Sequence, residues 1–178
     1  YKYYSIFFIF LELTAVFFGI ISVLFARKNN VLVYPTGIVS TLIYVYILYK
    51  WKLFGDLIIN FYYSIMSFLG WYLWTRKRNG TTEFPISRMN RKDYFISIVI
   101  FTGTLVFVAW VYYFFDKFTD WTAYIDTFTT ALFFVGMWLM AKRKIENWIF
   151  WIIADIISVP LYFYKGLTFS SIQFLLFT

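Results

Sequence analysis

Between Glu146 and Gly166 the chain reads ENWIFWIIADIISVPLYFYKG, an apolar stretch long enough to enter a bilayer that carries a carboxylate, Asp155, at its middle. Its chemistry-bearing residues share one side. Trp148, Trp151, Asp155, Ser158 and Tyr162 stand at i, i+3, i+7, i+10 and i+14, which at about 100° per residue confines them to a sector of roughly 80°. A carboxylate near the bilayer centre costs on the order of 2.5–3.5 kcal/mol on insertion scales, so it must face protein or a water-filled cavity. Pro160 has no N–H to give the carbonyl of Ile156, which leaves a backbone acceptor beside that face without its usual partner. The plainer reading makes the tryptophans interfacial anchors and lets a neighbouring helix satisfy Asp155. Trp148, close to the charged turn 142–144, suits either role, whereas Trp151 and Asp155 together favour a ligand site.

Other polar groups recur inside apolar spans. Asp56, Asn60, Tyr63, Ser67, Gly70 and Trp74 follow one another at spacings of 4, 3, 4, 3 and 4, a single helical face that is polar and small. Glu12 and Asp126 each sit in a span, and Gln173 follows near the end. The candidate site residues are therefore Trp148, Trp151, Asp155, Asn60, Tyr63, Gln173, Asp126 and Glu12. Each also has a structural alternative: Asn60 and Gln173 as interhelical hydrogen-bonding groups, Tyr63 as packing, Glu12 and Asp126 as partners of adjacent helices.

The elements that must position these residues are membrane helices. Apolar residues make up 62% of the 178 and aromatic residues 27%, and mean hydropathy is +0.70, far from the composition of a soluble domain. There are no histidines and no cysteines. Their absence removes Ser-His-Asp and Cys-His nucleophile systems, His- or Cys-built zinc sites and haem ligation through those residues. The +7 net charge does not mark nucleic-acid binding, because its bases lie in short loops between apolar spans and not along one stripe.

Spans are expected at about 4–26, 31–49, 53–74, 93–115, 121–141 and 146–166, with a seventh from about Leu167. Residues 75–92 form a polar linker too hydrophilic to cross a membrane. The chain begins at Tyr1 without a methionine and stops at Thr178 within an apolar stretch, as an excised piece of a longer protein would. The loops after spans one, three and five hold eleven of the sixteen Lys and Arg residues. The positive-inside rule makes those loops cytoplasmic.

The two ends of the chain also match at an offset of about 114 to 117 residues. Glu12 falls opposite Asp126, Ala26-Arg27-Lys28 opposite Ala141-Lys142-Arg143, Asn30 and Tyr34 opposite Asn147 and Trp151, and Tyr49-Lys50 opposite Tyr164-Lys165. The expected organisation is one transport domain: repeat one at 4–75, linker and spacer helix at 76–116, repeat two at 121–178. With three spans per half, the single spacer helix makes the halves parallel repeats, and transporters of this kind bind solute near the midplane.

The candidates supply carboxylates, amides, a phenol and indoles, but no basic group. A phosphorylated solute would need Arg, Lys or a metal ion in low dielectric. A cationic ring is instead satisfied by indole faces and a carboxylate, and hydroxyls by amides and carboxylates. The residues thus point to a neutral or cationic aromatic solute with hydroxyls, such as a nucleoside or vitamin. An intramembrane enzyme using Glu12, Asp126 and Asp155 as acid and base, and a receptor that binds without flux, are the other classes; matching polar faces in a parallel repeat count against the first.

On these residues the sequence resembles the PnuC family of nicotinamide riboside transporters, also described as nicotinamide mononucleotide transporters. Glu146-Asn147-Trp148-x-x-Trp151-x-x-x-Asp155 matches the family's tryptophan motif, followed by Pro160-Leu161-Tyr162-x-Tyr164-Lys165-Gly166. Tyr34-Pro35-x-Gly37, Asn60-x-x-Tyr63 and Gly70-Trp71-x-x-Trp74 agree as well. The resemblance implies an all-α, seven-transmembrane 3+1+3 bundle similar to the SWEET sugar transporters. It also implies facilitated import of nicotinamide riboside across a bacterial inner membrane by alternating access, with no cofactor and with trapping by cytoplasmic phosphorylation. Trp148, Trp151 and Asp155 would line the site, the pyridinium against indole and the ribose hydroxyls on Asp155, Asn60 or Gln173. Thiamine, whose thiazolium is also a cationic aromatic ring, is the alternative substrate. Association with further copies of the chain stays open.

Overall fold

A computed structural model of the chain describes residues 6–50, 54–78, 81–82, 85–114, 121–164 and 175. Six helices account for most of them: α1 (Ile6–Arg27), α2 (Val33–Lys50), α3 (Phe54–Thr75), α4 (Arg91–Phe114), α5 (Thr122–Ala141) and α6 (Asn147–Tyr164). Between α3 and α4 lies a short hairpin, β1 (Lys77–Arg78) and β2 (Thr81–Thr82), with Lys77 opposite Thr82 and Arg78 opposite Thr81. The expected seventh span and Gln173 lie outside the described residues. Among the described residues, α1, α4 and α5 are long and apolar enough to cross a membrane. The remaining helices dilute their Ile, Val and Leu with Tyr, Ser, Trp and Asp.

The chain divides into two compact units, 1–84 and 85–178. In the first, α2 packs against both α1 and α3; in the second, α5 packs against both α4 and α6. The spacer helix α4 thus belongs to the second unit. Helix α1 turns Ile6, Phe10, Leu13 and Phe17 outward, and α4 does the same with Phe95, Ile98, Val106 and Trp110. Such faces are stable only against hydrocarbon or another apolar surface, whereas the backbone N–H and C=O groups between the helix ends are satisfied within the helix.

Small residues allow the close approaches within the first unit. Ser22 Oγ donates to the Val33 carbonyl at 2.8 Å and Ser40 Oγ to that of Ala15 at 2.8 Å, tying α1 to α2. Ser64 Oγ donates to Thr41 Oγ1 at 2.9 Å, tying α3 to α2. The buried Tyr34 ring meets Trp74 edge-on at 5.0 Å. It lies over Gly70, where a Cβ would be 2.2 Å from Tyr34 Cε1, so only glycine fits beneath the phenol.

The α1–α2 and α5–α6 corners are built alike, residue for residue. Asn29 and Arg143 both hold positive φ, 49° and 54°. Asn30 N–H donates to the Phe25 carbonyl and Asn29 N–H to that of Ala26; Lys144 N–H likewise donates to Leu139 and Arg143 N–H to Met140. These paired bonds are the Schellman motif, which closes a helix on a left-handed residue. The next helices then start on matching bonds, Val33 to Asn30 and Asn147 to Lys144. The offset is constant and equals that between Glu12 and Asp126. This corrects the register read from side-chain identity: Ala26 corresponds to Met140, Tyr34 to Trp148, Gly37 to Trp151 and Thr41 to Asp155. Matching the asparagines of the two loops had shifted α6 by three positions.

In the second unit the end of the linker is strapped across the α5–α6 corner. Ser87 N–H donates to the Arg143 carbonyl and Ile145 N–H to that of Ser87, each at 3.1 Å. Lys144 Nζ donates to Ser87 Oγ at 3.0 Å and pairs with Asp93 at 3.0 Å. Met89 N–H donates to Glu146 Oε2 at 3.0 Å. Helix α4 begins on a reciprocal capping box, Asp93 N–H to Asn90 Oδ1 and Asn90 N–H to Asp93 Oδ2, which satisfies two otherwise orphaned donors.

Candidate functional site

Helix α6 forms because a run of Trp, Ile, Phe and Ala follows a tight corner that fixes its first turn. Its N-terminal bonds run from Asn147 N–H to Lys144, Trp148 N–H to Ile145 and Ile149 N–H to Glu146. The helix passes through Pro160 to Tyr164. Its buried positions are Asn147, Ala154, Asp155, Ser158 and Leu161, with Trp151 half-buried among them; Ile149, Ile152, Ile153 and Ile156 are exposed. The carboxylate is therefore turned into protein, with 1% of Asp155 and 0% of Ser158 exposed.

Opposite Trp151, α5 supplies an aromatic wall and a gap. The Phe133 ring lies 5.3 Å from the indole, tilted by 49°. One turn on, a Cβ at Gly136 would stand 3.1 Å from Trp151 Nε1, 3.2 Å from Cδ1 and 3.4 Å from Cε2. Asp126, half-buried, is on the same helix, and its carbonyl accepts from Thr129 Oγ1 at 3.1 Å.

Along this one helix face, Asn147 Oδ1, Trp151 Nε1, Asp155 Oδ1 and Ser158 Oγ are buried with no hydrogen-bond partner among the described residues. The last three, from Trp151 to Ser158, are a donor, an acceptor and a hydroxyl that is both. At 1.5 Å of rise per residue, the face spreads them over roughly 10 Å, the length of a ring joined to a sugar. Each such atom costs about 1–3 kcal/mol when left unmet, a cost that a polar solute reaching the face would offset. No Lys or Arg lies between Lys144 and Lys165, nor within α5.

Of the expected site residues, Trp148, Trp151, Asp155 and Asp126 thus belong to the packed pair α5 and α6. Trp148 is half-buried at the first turn of α6. Glu12, Asn60 and Tyr63 lie in the first unit, all half-buried. The Asn60 carbonyl accepts from Ser64 Oγ at 3.1 Å, and the Tyr63 ring is beside Tyr62 at 6.0 Å. Gln173 is outside the described residues. Phe133, Gly136 and Ser158 were not among the expected site residues. Ser158 had a signal, its place on the α6 face, whereas Phe133 and Gly136 are ordinary in an apolar helix until the indole is seen against them.

The family model described as nicotinamide mononucleotide transporter matches residues 9–178. The chain is 24% identical to the nicotinamide riboside transporter PnuC of Neisseria mucosa, over 81% of this chain and 56% of the relative. It is 21% identical to the nicotinamide riboside transporter PnuC of Escherichia coli K12, over 90% of this chain and 77% of the relative. The chain therefore spans little more than half the length of the Neisseria relative. Among solved structures, the crystal structure of the vitamin B3 transporter PnuC superposes with a TM-score of 0.67 at 23% identity, covering 94% of this chain and 77% of the other. That likeness shows a shared fold.

Proposed function

Because the chain belongs to the nicotinamide mononucleotide transporter family, we propose that it is the membrane domain of a facilitative transporter that imports nicotinamide riboside by alternating access. The observation that carries this is the inner face of α6, where Trp151 Nε1, Asp155 Oδ1 and Ser158 Oγ are buried and unmet beside the indole and Phe133 rings. A pyridinium ring is held by aromatic faces and a carboxylate, and ribose hydroxyls both give to Asp155 and accept from Ser158 and Trp151. The mononucleotide would bring a phosphate into a face without a base, which is costly in low dielectric.

The architecture we propose is seven spans in a 3+1+3 arrangement similar to the SWEET sugar transporters, with the two halves as parallel repeats. The matching Schellman corners support it. Bases concentrated in the loops after spans one, three and five support an orientation with those loops in the cytoplasm of a bacterial inner membrane. Asn60, Tyr63, Glu12 and Gln173 are proposed as further solute-binding residues.

Uptake of radiolabelled nicotinamide riboside into proteoliposomes, with unlabelled competitors, tests the proposal. Saturable uptake blocked by the riboside and not by the mononucleotide is expected. Block by thiamine with weak riboside flux would transfer the substrate to the other cationic vitamin, and chemical conversion of the solute inside would replace transport by an enzymatic role.

A further inference from the structure

Resting on the transport reading above, we infer that Gly136 is a positioning residue: it sets where the Trp151 indole stands, and through it how a cationic ring is held. A glycine within a helix costs about 0.8–1 kcal/mol relative to alanine. Gly136 lies deep inside α5 and makes no turn, so its use there needs a reason. The reason on the structure is the indole itself. Three of its pyrrole atoms, Nε1, Cδ1 and Cε2, fall 3.1, 3.2 and 3.4 Å from where a Cβ would be. Phe133 bounds the ring one turn earlier, its centroid 5.3 Å away. The ring thus lies against α5 at both Gly136 and Phe133, and the same Nε1 is one of the unmet polar atoms of the face.

The matching corner of the first unit separates this from a demand of the helix crossing. There Gly37 takes the place of Trp151 and Ser22 the place of Gly136. The contact recurs with small residues: a Cβ at Gly37 would stand 3.1 Å from Ser22 Oγ. Ser22 is accommodated and bonds across to the Val33 carbonyl at 2.8 Å. A crossing of this geometry therefore tolerates serine on the first helix when the second carries no ring. What Gly136 makes room for is Trp151, and a side chain at 136 displaces the indole from its place by at least a few tenths of an ångström.

The test is a double-mutant cycle on the full-length protein, Gly136→Ala and Gly136→Ser alone and each with Trp151→Phe. Nicotinamide riboside affinity is read by titration, and ring position by the fluorine spectrum of 5-fluorotryptophan protein without ligand. The signal lost in Trp151→Phe identifies that residue among the tryptophans. We expect both Gly136 variants to move that signal and to weaken riboside binding at least about fivefold, and by less than about twofold in the Trp151→Phe background. An unmoved signal with unchanged affinity overturns the inference, as does a loss of equal size with and without the indole. Should Gly136→Ala fail to fold, recovery of folded protein in the double variant supports the inference and failure to recover it overturns it. If wild-type protein does not bind the riboside, the transport reading fails, while the ligand-free spectrum still decides the role of Gly136.

Discussion

At the scale of the residue, Asp155 is buried to 1% exposure, its Oδ1 without a hydrogen-bond partner among the described residues. A group kept at such a cost for a ligand has a signature opposite to that of a core residue. Replacing it by Ala removes an unmet polar atom, worth about 1–3 kcal/mol, so Asp155→Ala should melt no lower than wild type in detergent while riboside uptake falls at least tenfold. A structural Asp155 would instead lose stability and activity together. The carboxylate's inward direction was legible in the sequence, because i, i+7 and i+10 spacing from Trp148 fixes the face. The role of Gly136 beside Trp151 was not legible, since a glycine acquires meaning only from the ring laid against it.

At the scale of the element, the helices follow from apolar runs bounded by charged turns, and six of the expected spans end within about two residues of the observed helices. The register between repeats was harder to read. Asn30 and Asn147 look equivalent as letters, yet the backbone makes Asn30 the partner of Lys144, since both accept the first bond of the following helix. Two glycines give a paired prediction about packing. Gly70→Ala puts a Cβ 2.2 Å from Tyr34 Cε1 and should destabilise the first unit by about 1–3 kcal/mol. Gly103→Ala meets nothing described within 4 Å and should be neutral or stabilising by up to about 1 kcal/mol. Thermal unfolding of both variants beside wild type checks the pair. The strap makes a further demand. Lys144→Ala leaves Asp93 without its 3.0 Å ion pair and Ser87 without its donor, and should cost about 1–3 kcal/mol. Asp93→Asn in the same chain should recover part of that loss, as a thermal-shift cycle would register.

At the scale of the whole molecule, the absence of cysteine offers a direct check on orientation in the membrane. Arg88 and Trp121 are both exposed, and charge placement sets them on opposite sides. Arg88→Cys should resist an impermeant thiol reagent in intact cells, and Trp121→Cys should react; the reverse pattern would invert the proposed topology. Transport as proposed requires that the solute be held at the α6 face. Calorimetric titration of nicotinamide riboside into the purified full-length protein, beside Trp151→Ala and Asp155→Ala, tests it most directly. Saturable binding by wild type, with affinity reduced at least tenfold in both folded variants and no binding of the mononucleotide, is the predicted result. Variants that bind the riboside as tightly as wild type would place the solute elsewhere and contradict the account.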